Sequence, residues 1–377
     1  MNQTKSQNKI AFVASSYTFK HDGISIYLEN ILYELLKEDC VEIDLYIRKS
    51  LKQKLSERLP LKKEDLNFNV IYIPENFVCM VFFINFVLNL KKYKLIFSPC
   101  LTPLISLRNK SLKVIHDVTY KVYPHSLNWK KKLYKSILFK LTSFDNFIGY
   151  ISKSTLDQIN LFLKIRRSQE LLLMSNGIPF SAKLHFKEEE IQFKNIKNEK
   201  INILFVGSQN YHKGLDKAIL LTNHISNYLN TEITLNIVGK ETNETAEILR
   251  EIEASRYNIK TFGYVNDQEL YNLYKKSDFV AIMSQSEGFG IPLVESCLFG
   301  CIPILNNLPS FREIIGENYP MFDSGNMSIE DFTKLFVEFI LTHKNIKNDL
   351  RFVVDKYWSE YSNSAKKLCI QLHSQND

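Results

Sequence analysis

The chain has 377 residues, of which 45% are hydrophobic and 24% are charged. This length exceeds the size at which a single core usually stops growing, so we expect two domains. The composition excludes disordered and fibrous proteins. The net charge of +7 is unevenly spread: residues 1–180 hold 27 Lys and Arg against 15 Asp and Glu, and the rest hold 21 against 26. The basic first part predicts contact with an anionic partner, either a membrane surface or nucleic acid.

The six cysteines are scattered, with no CxxC pair and no Cys/His cluster at zinc spacing. We interpret them as buried, reduced thiols of a cytoplasmic protein. The opening MNQTKSQNKIAF has no apolar signal core, which argues against secretion. The longest apolar run, Phe77–Leu90, has 14 residues and includes two asparagines. It is too short to span a bilayer.

Strands and helices are predicted to alternate along the first half. KIAFVAS (9–15) is typical of a short buried strand, and the stretch 24–38 has helical apolar spacing after Gly23. VEIDLYI then predicts a second strand, which completes the opening of a parallel α/β sheet. Further strands are predicted at residues 68–73, 95–98, 112–115 and 146–151.

The pattern changes at SNGIP, where a turn is followed by a polar stretch that we interpret as the inter-domain linker. Beyond it, the predicted strands INILFVG, ITLNIVG, IKTFGYV and DFVAIMS alternate with helical patterns, and residues 328–372 have a helical pattern. The sequence therefore predicts two tandem Rossmann-like α/β domains. The predicted boundaries are 1–180, a linker at 181–200, 201–345, and a C-terminal helical segment at 346–377.

The stretch SQSEGFGIPLVE (284–295) follows one of these strands. Ligands of open parallel sheets bind at the carboxyl ends of strands, where loops lead into helix N-termini. Pro292 suits the first turn of a helix. The backbone amides of Phe289, Gly290 and Ile291 would then form a phosphate-sized anion site.

The carboxylates Glu287 and Glu295 in the same stretch suit hydroxyls better than phosphate, because a carboxylate accepts two hydrogen bonds and sugars present vicinal donors. The pair would bracket a ligand with the order sugar, diphosphate, ribose. The alternative is a structural loop with exposed glutamates. The preceding loop FVGSQNYHKGLD places Gly207, His212 and Lys213 just before a helix, without Walker spacing. Lys213 would neutralise the diphosphate, or else be a solvated lysine at a helix start.

These elements resemble the donor site of family 4 retaining glycosyltransferases of GT-B fold, in FVGSQNYHKGLD and in SEGFGIPLVESCLFGCIPI. GISIY (23–27) is similar to the acceptor-side glycine loop of the mannosyl- and rhamnosyltransferase-like members. VIHD (114–117), ISKST and the Asn176-Gly177 turn follow in the family's order, and KYWSEYSNSAKK resembles its closing tryptophan-containing helix. The resemblance implies an acceptor-binding first domain, a nucleotide-sugar-binding second domain and a deep cleft between them. It also implies a C-terminal helix that crosses back to the first domain.

Residue roles follow from this resemblance. Glu287 would hydrogen-bond the hydroxyls of the transferred sugar, and Glu295 would hold the nucleotide ribose. Phe289 and Gly290 would offer amides to the donor, while Lys213 contacts its diphosphate.

In the first domain, the resemblance implies that His116 faces the reacting sugar and that Gly23 lets its loop approach donor phosphate or acceptor. The sequence departs from the family at two positions. Many members have arginine where this chain has Ser208, and others have arginine where it has His212. The diphosphate site then rests on Lys213, the helix amides and a protonated His212.

Breaking a glycosyl phosphate bond develops negative charge on the departing diphosphate, so preorganised positive groups must lie there. A divalent metal is the other possible stabiliser, but no Asp-x-Asp triplet occurs in the chain. We therefore predict metal-independent transfer, with no cofactor other than the nucleotide-sugar co-substrate. The resemblance implies retention, with the leaving phosphate accepting the acceptor's proton. Asp117 is the alternative base, or a capping residue beside His116.

WKKKLYKSILFK (129–140) combines lysines with apolar and aromatic residues at helical spacing. It is typical of an interfacial helix on anionic lipid, where each basic residue adds about 1 kcal/mol. The alternative is a packed helix with a solvated lysine face. Phe77–Leu90 would assist such contact, although we interpret it first as a core helix. Nucleic acid is a weaker partner, because no recognised binding module accompanies the charge.

The sequence thus predicts a bacterial hexosyltransferase that builds a surface polysaccharide such as O-antigen or capsule. Its acceptor would be a glycan, favoured to be lipid-linked, at the inner face of the cytoplasmic membrane. GISIY and VIHD favour mannose or a related sugar. The alternative is a catalytically silent nucleotide-sugar-binding scaffold of the same fold, which the missing arginine suggests. An oxidoreductase is disfavoured, because neither first-strand loop reads GxGxxG.

Overall fold

The computed structural model describes residues 9–18, 22–38, 41–58, 68–122, 129–186, 200–250, 258–343 and 345–373. The chain divides into two compact units, one formed by Met1–Pro179 with Ser359–Asp377 and the other by Phe180–Trp358. The predicted linker 181–200 begins inside a helix of the second unit, and its residues 187–199 lie outside the described part.

The first unit is built on a seven-stranded sheet whose described strands pair in parallel, in the order β3-β2-β1-β4-β5-β6-β7. Its central strands are buried along their length, as expected when helices cover both faces of a parallel sheet. The strands are β1 (Lys9–Val13), β2 (Glu42–Arg48), β3 (Phe68–Ile73), β4 (Leu95–Ser98), β5 (Ser111–Ile115), β6 (Phe147–Tyr150) and β7 (Glu170–Leu173). The helices are α1 (Gly23–Leu36), α2 (Lys49–Arg58), α3 (Phe77–Leu90), α4 (Thr119–Val122), α5 (Trp129–Leu141) and α6 (Lys153–Phe162).

The second unit has a six-stranded sheet with the order β10-β9-β8-β11-β12-β13, again parallel. Its strands are β8 (Lys200–Val206), β9 (Glu232–Val238), β10 (Asn258–Gly263), β11 (Phe279–Ile282), β12 (Ile302–Asn306) and β13 (Met321–Phe322). Its helices are α7 (Phe180–His185), α8 (Leu215–Leu229), α9 (Thr245–Arg250), α10 (Asp267–Lys276), α11 (Ile291–Leu298), α12 (Pro309–Ile315), α13 (Ile329–Thr342) and α14 (Ile346–Tyr357). The prediction of two Rossmann-like α/β units is confirmed.

The strand order of each sheet reverses at one point, between β1 and β4 in the first unit and between β8 and β11 in the second. Such switch points are where loops diverge and leave room for a ligand at the carboxyl ends of the strands. In the second unit, the loops after β8 and β11 are those that carry Lys213 and Glu287.

The predicted strands agree with the observed ones to within a few residues, and β7, β12 and β13 were not predicted. Among the helical patterns predicted between these strands, ETAEILREIEAS (244–255) is observed as α9 up to Arg250, and its remainder lies outside the described residues. Among the described helices, none has the length and apolar character needed to cross a bilayer.

The first unit contains buried charged side chains, of which Asp44 is one. Asp44 on β2 accepts hydrogen bonds from the Tyr93 hydroxyl at 2.6 Å and from Asn69 at 3.2 Å, and pairs with Lys9 at 2.9 Å. Burial alone would raise the pKa of Asp44, but these partners outweigh it and hold the pKa below its ordinary value.

On β5, Lys113 lies with Asp145 in a buried ion pair, Nζ to Oδ2 3.1 Å, each side chain 1% exposed. Lys113 Nζ also donates to the Leu104 carbonyl at 2.6 Å, and the Ser111 hydroxyl donates to Asp145 at 2.7 Å. Burial lowers the pKa of Lys113 and raises that of Asp145, although each charge opposes the shift of the other. These bonds hold the strand that leads to His116.

The C-terminal helices belong to different units. α14 packs on α11 and α12 within the second unit, whereas α15 (Glu360–His373) packs on α1 within the first. Ser364 and Lys367 on α15 donate to the carbonyls of Ser175 and Leu173. The segment that joins the first unit therefore begins at Ser359, rather than at the expected residue 346.

Candidate active site

The loop between β8 and α8 is held in place by its own polar groups. Asn210 Oδ1 accepts the Lys213 amide at 2.9 Å, which fixes the lysine at the end of the loop. Gly214 follows in the left-handed region, with a φ of 73°. A Cβ there would lie 2.1 Å from the Met283 carbonyl oxygen at the end of β11, so only glycine fits this approach. Gly207 and Ser208 follow β8 directly and start the loop.

The loop after β11 is anchored from β12. Asn306 Nδ2 donates to the Ser284 carbonyl at 2.8 Å, and the Ser284 hydroxyl donates to Glu287 Oε1 at 2.8 Å. Gly290 has a φ of 116°, and a Cβ there would lie 2.6 Å from the ring of Phe311 on α12. These contacts hold Glu287 at the strand end and direct the chain into α11.

The two loops are joined to each other. The Gln285 amide donates to the His212 carbonyl at 2.9 Å, and its side chain donates to the Tyr211 carbonyl at 3.1 Å. Next to this junction, Lys213 Nζ lies 2.6 Å from Glu287 Oε1, with side-chain exposures of 31% and 19%. This is a short, charge-assisted hydrogen bond whose partners still face solvent. The structure thus brings together two predicted site residues that are 74 positions apart in the sequence.

α11 begins directly beyond Glu287, with Gly290 as its N-terminal cap and Pro292 in its first turn. Among the hydrogen bonds of the described residues, none uses the backbone amides of Phe289, Gly290 or Ile291 as donor. The first amides of a helix have no intrahelical acceptor, and they carry the positive end of its dipole. The predicted anion-binding amides are therefore available. The Phe289 side chain itself is buried, with its ring against Tyr357 at 5.3 Å.

Glu295 lies one turn into α11 and is 1% exposed. The Tyr274 hydroxyl donates to its Oε2 at 3.0 Å. Burial, followed by the charge of Glu295, raises the pKa of Tyr274 well above its ordinary value, so this hydroxyl remains a proton donor. Glu295 is thus a carboxylate oriented from behind by α10.

In the first unit, His116 and Asp117 follow β5 and line a pocket of about 330 Å³ together with Cys100, Tyr120 and Lys135. His116 Nε2 lies 2.7 Å from the Pro99 carbonyl, which can only accept, so Nε2 carries the proton and Nδ1 the lone pair. Burial lowers the pKa of His116, which favours this neutral form.

Asp117 has a local structural role, because its Oδ1 accepts the Thr119 amide at 3.1 Å at the start of α4. This contact supports the capping interpretation over that of a base. Gly23 is exposed at the first position of α1, where Asp22 Oδ1 accepts the Ser25 amide. Its φ is not in the left-handed region, so α1 requires no glycine there for backbone reasons.

Several residues that build the site were not predicted. Ser284, Gln285 and Asn306 orient Glu287 or join its loop to that of Lys213, and Tyr274 orients Glu295. Asn306 is the polar last residue of an otherwise apolar strand. This position at the carboxyl end of the strand is a sequence signal that could have identified it as a site residue. In the described residues, no group of three or more His, Cys, Asp or Glu side chains could hold a metal ion.

Two parallel α/β units in one chain are the architecture of the GT-B fold. Residues 186–351 match the family described as glycosyl transferases group 1. The chain has the GT-B fold, and its second unit contains the stretch that matches the glycosyl transferases group 1 family. The GT-B recognition made from the sequence is confirmed.

Known proteins resemble this chain over different fractions of its length. An uncharacterized 41.2 kDa protein in the cps region of Klebsiella pneumoniae is 26% identical over 319 residues, 81% of this chain and 74% of that one. A GDP-mannose:cellobiosyl-diphosphopolyprenol alpha-mannosyltransferase of Xanthomonas campestris is 25% identical over 162 residues, 42% of this chain and 40% of that one. The crystal structure of Anabaena HepE in complex with UDP-glucose is similar in fold, with a TM-score of 0.67, 14% identity and coverage of 97% of this chain and 99% of that one.

Proposed function

We propose that the protein transfers a hexosyl unit from a nucleotide-diphosphate sugar to a lipid-linked glycan, with retention and without a metal ion, in the synthesis of a bacterial surface polysaccharide. The observation that carries the proposal is the 2.6 Å contact of Lys213 with Glu287 beside the available amides of α11. A cation and a carboxylate side by side suit a ligand in which a phosphate adjoins hydroxyls.

Binding of the donor would break the contact between Lys213 and Glu287 and give each side chain a new partner on the ligand. A diphosphate oxygen would take the place of Glu287 at Lys213 and accept from the α11 amides, which stabilise the charge that develops on the leaving group. Glu287, held by Ser284, would then accept hydrogen bonds from the sugar hydroxyls. Glu295 would accept from the ribose while Tyr274 keeps its carboxylate oriented.

The proton of the acceptor hydroxyl requires a base. Asp117 is engaged with the Thr119 amide, so the leaving phosphate oxygen is the better candidate. In that reaction the acceptor oxygen bonds to the anomeric carbon, the bond from this carbon to the phosphate oxygen breaks, and the proton moves to that oxygen. His116, neutral and with Nδ1 as an acceptor, would orient a sugar hydroxyl rather than carry this proton.

The relatives support the polysaccharide context. The Klebsiella relative is encoded in a cps region, and the Xanthomonas relative is named for a mannosyl donor and a diphosphopolyprenol-linked acceptor. GDP-mannose and a polyprenyl-diphosphate-linked oligosaccharide are therefore the first pair to test.

The experiment incubates the purified protein with a panel of nucleotide sugars and this acceptor, after treatment with a chelator. We expect transfer, and NMR of the product should show the anomeric configuration of the donor. Glu287→Gln should lower turnover by roughly 100-fold, because it weakens the hydrogen bonds that position the transferred sugar. Glu295→Gln should mainly raise the donor KM, whereas Glu247→Gln on the exposed face of α9 should match the unsubstituted protein.

An inverted product would contradict retention, and activity that requires added metal would contradict the metal-independent reaction. Equal activity of the Glu287 and Glu295 variants would exclude the donor site described here. Donor binding without transfer or hydrolysis across the whole panel would favour the silent scaffold.

A further inference from the structure

Helix α3 exposes an apolar face. Its sequence, FVCMVFFINFVLNL, contains no charged residue. One side of the helix, with Met80, Ile84 and Leu88, is buried in the core of the first unit. Apolar side chains at every fourth position of the other side are exposed: Val78 by 58%, Phe82 by 74%, Phe86 by 67% and Leu90 by 61%. This spacing places them in one stripe along the helix. A contiguous apolar surface of this kind marks an interaction site.

The orientation of α3 is fixed by its two polar residues. Asn85 donates to the Pro103 carbonyl at 2.9 Å and accepts the Ile105 amide at 2.9 Å. Asn89 donates to the Ile105 carbonyl at 3.0 Å and accepts the Leu107 amide at 2.8 Å. Because both amides bond the loop on the buried side, α3 cannot rotate its stripe inward. The exposed phenylalanines are a property of the folded unit.

Helix α5 continues this surface. The rings of Phe77 and Tyr134 are in edge contact with centroids 5.7 Å apart, which joins the start of α3 to α5. α5 has its own exposed stripe at every fourth position, with Trp129 at 69%, Leu133 at 55% and Ile137 at 48%. We call the exposed faces of these two helices the docking face.

The charge around the docking face is predominantly positive. Between residues 76 and 144 the chain has 12 Lys and Arg, of which Lys113 is buried in its ion pair, and a single acidic residue, Asp117. Exposed Lys91 and Lys92 follow α3 directly, and exposed Lys130 and Lys140 flank the stripe of α5. Interfacial helices bind membranes through apolar area together with attraction to anionic lipid. A protein partner or a second copy would cover the stripe but would not account for the basic rim.

We propose that the docking face binds the surface of an anionic lipid bilayer. The phenylalanines of α3 would insert at the headgroup boundary, and Lys91, Lys92 and the exposed lysines of α5 would lie on the lipid phosphates. This reverses the roles assigned from the sequence, where α5 led the contact and α3 was first a core helix. The contact does not depend on the donor site, so vesicle binding is measured without nucleotide sugar and its outcome is independent of the glycosyl transfer assay.

The test is co-sedimentation with vesicles made of equal parts of phosphatidylglycerol and phosphatidylcholine, beside vesicles of phosphatidylcholine alone. We expect binding to the anionic vesicles, at least tenfold weaker binding by the double variant Phe82→Ser, Phe86→Ser, and loss of the anionic preference in Lys91→Glu, Lys92→Glu. The matched control is Phe352→Ser on α14, whose ring is 63% exposed outside the docking face. It should bind as the unsubstituted protein does. Since all these side chains are exposed, circular dichroism should show that each variant is folded.

A second readout uses Trp129, because the chain has only two tryptophans. In the variant Trp358→Phe, fluorescence should shift to the blue when anionic vesicles are added. Unchanged binding by the phenylalanine variant, equal binding to both vesicle types, or sedimentation without a shift would overturn the proposal. It would equally be overturned by a dimer in solution that the phenylalanine variant dissociates, since a second copy would then occupy the face.

Discussion

Gly214 is the point at which a single methyl group should disrupt the donor site. An L residue in the left-handed region costs about 1–2 kcal/mol. At Gly214 the new Cβ of Gly214→Ala would also lie 2.1 Å from the Met283 carbonyl oxygen. The backbone must therefore move, and such overpacking costs about 1–3 kcal/mol more. We expect a loss of roughly 2–5 kcal/mol in the free energy of unfolding of the second unit.

The matched control is Gly263→Ala. Gly263 has a φ of 61°, but nothing lies within 4 Å of its added Cβ. Only the conformational cost applies, about 1–2 kcal/mol. Urea denaturation measures both values by the fluorescence of Trp358, the last residue of the second unit, in a Trp129→Phe background. Because Gly214 adjoins Lys213, its variant should also weaken donor binding, and the control should not. Equal losses of stability in the two variants would refute the steric reasoning.

Three further predictions concern buried polar groups. Tyr274→Phe removes the hydroxyl donor of Glu295 and should cost about 1.5–3 kcal/mol in urea denaturation, with a raised donor KM. Lys113→Met leaves buried Asp145 without its cation and should cost about 3–5 kcal/mol, most of which the added change Asp145→Asn restores in thermal unfolding. The folded-state pKa of Asp44 lies below its unfolded value, so its charge stabilises the fold above about pH 4 and this stabilisation is lost as the pH falls further. Asp44→Asn should therefore flatten the acid side of the stability profile, measured by urea titrations from about pH 5 to pH 2.

Elements whose signals are local could be predicted closely from the sequence. The helical pattern predicted between the strands INILFVG and ITLNIVG coincides with α8, because its apolar spacing and the flanking Gly214 and Asn230 all lie in the same stretch. The strand β7 could not be predicted in this way. Its four residues, ELLL, are too few to show alternation, and its place in the sheet depends on pairing with β6.

The members of the site could be predicted, but their contacts could not. Lys213 and Glu287 each stand out beside glycines at a strand end, and the resemblance assigns them to one ligand. Their direct pairing depends on the bonds from Gln285 to the other loop, which bring two distant segments together. Whether Asp117 is a base or a cap likewise depends on which amide its carboxylate meets after folding.

The exposure of α3 shows a different limit. The spacing of apolar residues predicts the buried face of a helix only when polar residues mark the opposite face. The polar residues of α3, Asn85 and Asn89, do not mark its exposed face, so the sequence does not distinguish Met80 from Phe82, although one is 4% exposed and the other 74%. Only the bonds of Asn85 and Asn89 to the neighbouring loop reveal the outer face, and they require the folded chain.

The first unit is also interrupted in the chain. Helix α15 supplies core residues to it, among them Tyr361, Leu368 and Leu372, all at most 2% exposed. A ribosome makes these residues only after the whole of the second unit, which is one continuous stretch. Since domains generally fold as they emerge, the second unit can complete its core during synthesis. The first unit, although made first, must wait for its last helix, so the order of folding is the reverse of the order of synthesis.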